Sequence, residues 1–250
     1  MTSPLSPFLS DTAMVLAAGF GKRMQPLTLQ TPKPLLKVGG KPMLDHALDH
    51  LRDVGIKRAV VNTHYLGDQI AVHCAQRTDM EIILSPEEEI LETGGGVKKA
   101  LENFGDNPFF VLSADLPWID GAVPALQRMA EAWDPAKMDQ LLLVAPLSKA
   151  HGCGTKGDFM REEDGRLWRK DAPYPRPYVF FAAQIVKPQL YYDIDETVFS
   201  NNLVFDLAES RDRLYGLVLD GSCYHVGTPQ DLFEANRLLE SGKGWGEAPE

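Results

Sequence analysis

The sequence predicts an α/β fold with a doubly wound, mostly parallel sheet, and three observations predict it. Through about the first 145 residues, short β-rich runs alternate with stretches of helical periodicity. The runs are almost continuously apolar, as strands covered on both faces are. A glycine-rich turn follows directly on the first run, at the strand end where open α/β sheets place their ligand crevice.

The strand candidates, in order, are Thr12 to Ala17, Arg58 to Asn62, Glu81 to Leu84, Phe109 to Ser113 and Gln140 to Ala145. Between the first two, Leu44, Ala47, Leu48, Leu51 and Val54 recur at helical spacing, and Gly55 follows as a stop signal. Leu66 to Cys74, Gly95 to Leu101 and Gly121 to Trp133 are further helix candidates. After about Ser148 the texture changes. Asp158 to Met160 and Leu167-Trp168 flank an Asp164-Gly165 turn and read as a hairpin. Tyr178 to Val186 and Tyr215 to Leu219 read as strands, and Phe199 to Ala208 and Pro229 to Leu239 as helices. The chain is thus expected to be a single domain over 1–250. Residues 11–147 are expected to form its core, and 148–240 a small α+β annex with the last helix. The lead-in to Ser10 is expected to be disordered and the tail from Ser241 frayed.

With 44% hydrophobic and 24% charged residues, the composition is that of a soluble globular protein. No apolar run reaches the roughly 20 residues of a membrane span, and the N-terminus lacks a signal-peptide pattern. Cys74, Cys153 and Cys223 include no CxxC pair, which points to a reducing cytoplasm rather than a disulfide framework. The net charge of −10 argues against nucleic acid as a partner. An anionic ligand would need local cations, and Lys22, Arg23, Lys33, Lys37 and Lys41 cluster to supply them.

The first strand runs into Ala18-Gly19-Phe20-Gly21-Lys22-Arg23. Small residues there let backbone N–H groups approach phosphate oxygens. Arg23 can grip two oxygens at once, and Lys33 can act as a mobile point charge. A dinucleotide fingerprint wants a third small residue, where this chain has Met24, and a helix at once, whereas Pro26, Pro32 and Pro34 predict a largely extended stretch. A Walker loop wants Ser or Thr after Gly21-Lys22, and Arg23 stands there. A Gly-x-Gly turn alone can be a mere connection; tied to Arg23 and Pro32-Lys33-Pro34 it reads as a triphosphate site.

Leu16-Ala17-Ala18-Gly19-x-Gly21-x-Arg23-Met24-x-Pro26-Leu27-Thr28, followed by Pro32-Lys33-Pro34, closely resembles the signature of sugar-1-phosphate nucleotidyltransferases. The resemblance runs from about Met14 to Leu239. It implies a Rossmann-like fold of the glycosyltransferase-A type with a sugar-binding annex. It also implies nucleotide contacts at Leu16, Ala17, Ala18, Gly19, Gly21 and Arg23, with Arg23 and Lys33 catalytic. Leu91-Glu92-Thr93-Gly94-Gly95-Gly96 resembles the second nucleotide-contacting loop, so Glu92, Gly94 and Gly95 are expected at the base and ribose. Asp115, ending an apolar strand, resembles the aspartate that holds Mg²⁺ against the phosphates. Gly157-Asp158-Phe159 resembles a sugar-contacting element, Ala182 stands where the family commonly has glycine, and Asn201 lies in a pocket-edge segment.

One position departs from the family. Where it usually has a second metal-binding aspartate, before Val226-Gly227-Thr228, this chain has His225. Imidazole is a poor Mg²⁺ ligand. Three readings follow: Asp115 and phosphates hold the metal alone, Mn²⁺ replaces Mg²⁺, or catalysis is impaired; the first is the preferred reading. His46 and His50, four apart on a predicted helix, lack a third ligand and read as a solvated face rather than a zinc site.

The implied reaction joins an NTP, UTP by preference, to a sugar 1-phosphate, giving an NDP-sugar and pyrophosphate. Compactness and the two loop elements resemble N-acetylmuramate 1-phosphate uridylyltransferases of cell-wall recycling. Mannose-1-phosphate guanylyltransferase and a non-catalytic nucleotide-sugar-binding regulator are the alternatives. The expected partners are the two substrates, with no nucleic acid or membrane, in a monomer or small homo-oligomer.

Overall fold

The computed structural model describes residues 9–240, so the expectations for most of the lead-in and for the tail lie outside the described residues. Seven strands form the central sheet: β1 (Thr12–Leu16), β2 (Arg58–Thr63), β3 (Glu81–Pro86), β4 (Phe109–Ser113), β5 (Gln140–Pro146), β6 (Tyr178–Val186) and β7 (Leu214–Val218). Their order is β7-β5-β6-β4-β1-β2-β3. All pairings are parallel except those of β6, which runs antiparallel to both β4 and β5. The helices are α1 (Met43–Asp53), α2 (Gly67–Cys74), α3 (Glu92–Lys99), α4 (Ala125–Ala132), α5 (Gln189–Tyr192), α6 (Asn202–Ser210) and α7 (Pro229–Glu240). None is long and apolar enough to cross a membrane among the described residues.

The continuous apolar runs are explained by two cores, one on each face of the sheet. Ala13, Val15, Phe110 and Leu112 point into a core covered by α1 (Leu44, Leu48, Leu51), α2 (Ile70) and α4 (Leu126, Met129). Their neighbours Met14, Phe109 and Val111 point to the opposite core with Val97 of α3, Tyr191 of α5 and Phe205 of α6. Period-two alternation therefore exists in these strands, but both faces are buried, so it shows no polar partner. A third, smaller core packs α7 (Ala235, Leu238) onto Met24, Val38 and Met43, and so clamps the segment after β1.

The sheet does not divide near residue 148. β6 and β7, read from sequence as annex strands, are central and edge strands of the same sheet. The nine-residue β6, buried from Phe181 to Val186, can satisfy its backbone and its apolar faces only between two other strands. The small hairpin of Met160–Arg161 with Leu167–Trp168 forms as its turn signal predicts, Gly165 taking φ +95°. The proline-rich stretch differs from expectation. It is not extended but coils into three short 3₁₀ turns, Lys22–Met24, Leu27–Leu29 and Lys33–Leu35, because proline's fixed φ suits turn entry as well as extended chain.

β4 lies on one side of β1 and β2 on the other, so the chain changes direction across the sheet at β1. The loops leaving β1, β2, β3 and β4 exit at one edge, which is where a crevice opens.

Candidate active site

That crevice is a cleft of about 360 Å³ between the loops after β1, β2, β3 and β4. Leu16, Ala17, Ala18, Gly19, Gly21 and Arg23 line it, as do Lys33, Glu92 and Asp115. The glycines explain themselves differently. A methyl group on Gly19 would meet nothing within 4 Å, so that position faces open space. Gly21 has φ +62°, and a side chain there would press on the Thr28 methyl at 3.0 Å and on Lys33 Cβ at 3.1 Å. Thr28 also donates its hydroxyl to the Gly21 carbonyl at 2.9 Å, and Tyr65 donates to the Thr28 carbonyl at 2.9 Å. The first 3₁₀ turns thus brace the loop from behind.

Lys33 and Asp115 meet across the cleft, Nζ to Oδ2, at 2.6 Å. Lys33 is almost wholly buried, while the Asp115 side chain keeps 35% exposure. Burial works to raise the Asp115 carboxyl, but the charge and hydrogen bond of Lys33 outweigh it and hold the group below the ordinary carboxylate range. One carboxylate oxygen is committed to Lys33. The other oxygen is the kind of hard donor that a divalent ion such as Mg²⁺ accepts, since that ion uses one or two carboxylates. Among the described residues no three His, Cys, Asp or Glu side chains gather into a metal cage.

His225 stands near this pair, since Lys33, Asp115 and Arg23 all act on its ring electrostatically. Burial and then the charge of Lys33 depress its pKa below the ordinary imidazole value. Its Nδ1 lies 3.1 Å from the Gly152 carbonyl, which can only accept. Nδ1 is therefore the donor in this contact. Gly152 has φ +74°, and a Cβ there would lie 2.4 Å from the His225 carbonyl, so glycine is required at this contact. Beyond His225, Asp231 accepts from the Gly227 and Thr228 amides and the Thr228 hydroxyl, fixing the entry to α7 beside the Arg23 guanidinium.

Two lining residues carried no sequence signal. Asn62, buried at the end of β2, accepts from the Ala17 amide at 2.7 Å and donates to Glu87 Oε1 at 2.7 Å. Glu87, also buried, accepts from the Leu91 amide through Oε2 at 3.0 Å. A lone Asn and one Glu among the acidic run Glu87-Glu88-Glu89 look like surface residues in one dimension; only the sheet brings them to the cleft.

Other predicted residues are placed elsewhere. The three glycines lie inside α3, not before it, and their close neighbours are protein. The Gly94 and Gly95 amides both donate to the Phe199 carbonyl, at 2.8 and 3.0 Å. A Cβ on Gly94 would strike the Phe199 ring at 2.4 Å, and one on Gly95 the Thr197 carbonyl at 2.2 Å. Neither glycine lines the cleft. Asp158 is exposed, and its carboxylate accepts from the Phe180 amide at 2.9 Å. Ala182 is fully buried at the bulge of β6 with φ +62°, its methyl turned into the core. Asn201 is buried, its Oδ1 accepting from Tyr191 and its amide donating to Thr93 Oγ1, which borders the cleft.

Lys37 and Lys41 do not line the cleft, and Lys41 pairs with Asp49. His46 and His50 are not a solvated face. His46 Nε2 bonds the Val38 carbonyl, and His50 stacks on Trp118 and pairs with Asp120, so each ties α1 to a different segment. All three cysteines are free.

The MobA-like NTP transferase domain matches residues 13–163. The chain is 39% identical to the N-acetylmuramate α-1-phosphate uridylyltransferase of Caulobacter vibrioides, over 92% of this chain and 97% of that one. It is 45% identical to the enzyme of the same name from Neisseria meningitidis serogroup B, over 92% and 99%. A mannose-1-phosphate guanylyltransferase catalytic subunit of Drosophila pseudoobscura is 37% identical, but only 64% of its length is covered. Among solved structures, HddC from Yersinia pseudotuberculosis superposes with a TM-score of 0.71 at 19% identity, covering 91% of this chain and 99% of that one. UDP-glucose pyrophosphorylase from Acinetobacter baumanii does so at 0.74 and 16%, over 90% and 91%; likenesses at that identity speak for the fold. With the family domain spanning more than half of the chain and two relatives matched nearly end to end, the chain belongs to the MobA-like NTP transferase family.

Proposed function

We propose that the protein transfers a nucleotidyl group from UTP to N-acetylmuramate 1-phosphate, releasing pyrophosphate. The observation that carries the reaction is the Lys33–Asp115 pair facing a glycine loop and Arg23 in one cleft. The observation that favours this substrate pair is the near full-length identity to two uridylyltransferases.

In this reading a phosphate oxygen of the sugar phosphate attacks the α-phosphorus in line. The bond from that phosphorus to the bridging oxygen breaks, and pyrophosphate leaves with its electron pair. The attacking oxygen is already an anion, so no general base is needed, and catalysis is mostly positioning and charge neutralisation. Leu16 to Gly21 present backbone to the nucleotide, Arg23 binds the departing pyrophosphate, and Lys33 sits against the α-phosphate. Asp115 would hold a divalent ion, Mg²⁺ by the hardness of its oxygen donor, which supplies further neutralisation of phosphate charge. Glu87, acting as acceptor through both oxygens, is complementary to a ring N–H such as uracil N3–H. Cytosine offers an acceptor at that ring position and is disfavoured. Glu92 lines the same cleft. The second half reaches the site through Asn201, whose backbone N–H donates to Thr93 at the border of the cleft.

The test is pyrophosphate release measured for UTP, GTP, dTTP and CTP against N-acetylmuramate, N-acetylglucosamine, glucose and mannose 1-phosphates. UTP with N-acetylmuramate 1-phosphate should lead. A clear preference for GTP with mannose 1-phosphate would replace this substrate assignment, and no release from any pair would overturn turnover itself.

A further inference from the structure

We infer that Lys22 is a second triphosphate-binding cation, stored on the Phe20 ring until nucleotide binds; the inference rests on the nucleotide reading of the cleft. Lys22 occupies a variable position in the glycine-loop pattern, yet it lines the cleft beside Arg23. Its ammonium stands 5.0 Å from the centre of the Phe20 ring. Among the described residues it has no carboxylate partner, whereas Lys33 is committed to Asp115 at 2.6 Å.

Charge counting gives this arrangement its consequence. A triphosphate remains negative on its outer phosphates even when a divalent ion is chelated, and Lys33 is already balanced by a carboxylate. Arg23 alone would meet that charge unless Lys22 joins it. A cation over an exposed ring is held weakly and releases at small cost. The ring itself is fixed: Phe20 meets His64 edge-on at 5.2 Å and Tyr65 at 5.9 Å, and His64 Nδ1 is bonded to the Glu87 carbonyl. Phe20 therefore keeps the ammonium at the mouth of the cleft instead of letting it sample bulk solvent. Lys22 and Arg23 share the Lys22–Met24 turn, so one loop delivers both charges to the same end of the ligand.

The experiment is calorimetric binding of UTP against UMP, with GTP against GMP in parallel, to the wild type and to Lys22→Gln, Lys22→Arg and Phe20→Leu. Lys22→Gln should weaken the triphosphate about tenfold and the monophosphate less than about twofold, with Lys22→Arg restoring most of the loss. Phe20→Leu, which removes the ring and keeps the cation, should preserve the triphosphate preference. Equal loss for triphosphate and monophosphate would show a distorted loop rather than a phosphate contact and overturns the inference. So does an unchanged triphosphate affinity in Lys22→Gln. A wild type that binds neither pair overturns the nucleotide reading itself, a result distinct from either.

Discussion

Around the cleft, at the ends of β1 to β4, Arg23, Lys33, Glu92 and Asp115 line one space together with the backbone of the glycine loop. Along β6 and α6 the comparable groups are consumed within the chain. Asp158 holds the Phe180 amide, Asn201 holds Tyr191 and Thr93, and Ala182 is sealed in the core. The contrast follows from topology. Four parallel strands deliver their loops to one edge, so residues distant in sequence converge there. The antiparallel β6 enters from that edge, and the segment before it must be tied down before it can pair with both neighbours. One half is built to present groups to a ligand, the other to hold the presenting edge in place.

The largest effect that separates the halves is on turnover. Lys33→Ala and Asp115→Asn should each lower kcat by at least about a thousandfold, on the order of 4 kcal/mol of transition-state stabilisation. Thermal unfolding should change by only a few degrees. Near-normal kcat in either variant would remove that residue from the reaction. Next comes a residue that serves both ends. Asn62→Ala strips a partner from the buried Ala17 amide and from Glu87, which costs about 2–3 kcal/mol of stability. Because Ala17 begins the glycine loop, KM for the nucleotide should rise about tenfold while kcat changes less. A stability loss with unaltered KM would make Asn62 purely structural.

A third variant probes the holding half alone. Asp139, at the head of β5, accepts from Lys187 after β6 and from Arg213 before β7, both at 2.8 Å. Burial works to raise its pKa, but the hydrogen bonds of Lys187 and Arg213 outweigh it, so the folded value lies below the ordinary carboxylate range. A depressed folded pKa means stability that is complete above the unfolded pKa and is lost as pH falls through the folded one. Asp139→Asn should cost about 2 kcal/mol at neutral pH, from lost charge-assisted bonds, and should flatten the acid limb of the stability curve. Denaturant unfolding at a series of pH values measures both. An acid limb as steep as wild type would assign the pH dependence to other carboxylates.

Strand positions were legible because buried parallel strands need uninterrupted apolar runs, and the tract Tyr178 to Val186 was readable for that reason. Its place in the central sheet was not, because pairing partners leave no mark in periodicity. That Arg23, Lys33 and Asp115 line one cleft was legible, Arg23 and Lys33 from the glycine-loop motif and Asp115 from its place at the end of an apolar strand. Asn62 and Glu87 were not, since their importance lies in contacts across 45 and 25 residues. Gly94 and Gly95 show the opposite failure. A glycine announces that something comes close, but not whether it is ligand or protein; here it is Phe199 and Thr197.

The smallest predicted effect concerns the same kind of ambiguity at Ala182. A left-handed φ of +62° costs an L-residue with a Cβ roughly 1–2 kcal/mol, and glycine would remove that cost. Against it stands the loss of one fully buried methyl, about 0.8 kcal/mol by transfer, with a small cavity added. The two terms nearly cancel, so Ala182→Gly should change stability by less than about 1 kcal/mol in either direction, measured by denaturant unfolding. Since the methyl faces the core, KM for the sugar phosphate should stay within about twofold. A large change in that KM with unchanged stability would mean the β6 bulge shapes the sugar pocket through its backbone, and the division between presenting and holding halves would have to be redrawn at β6.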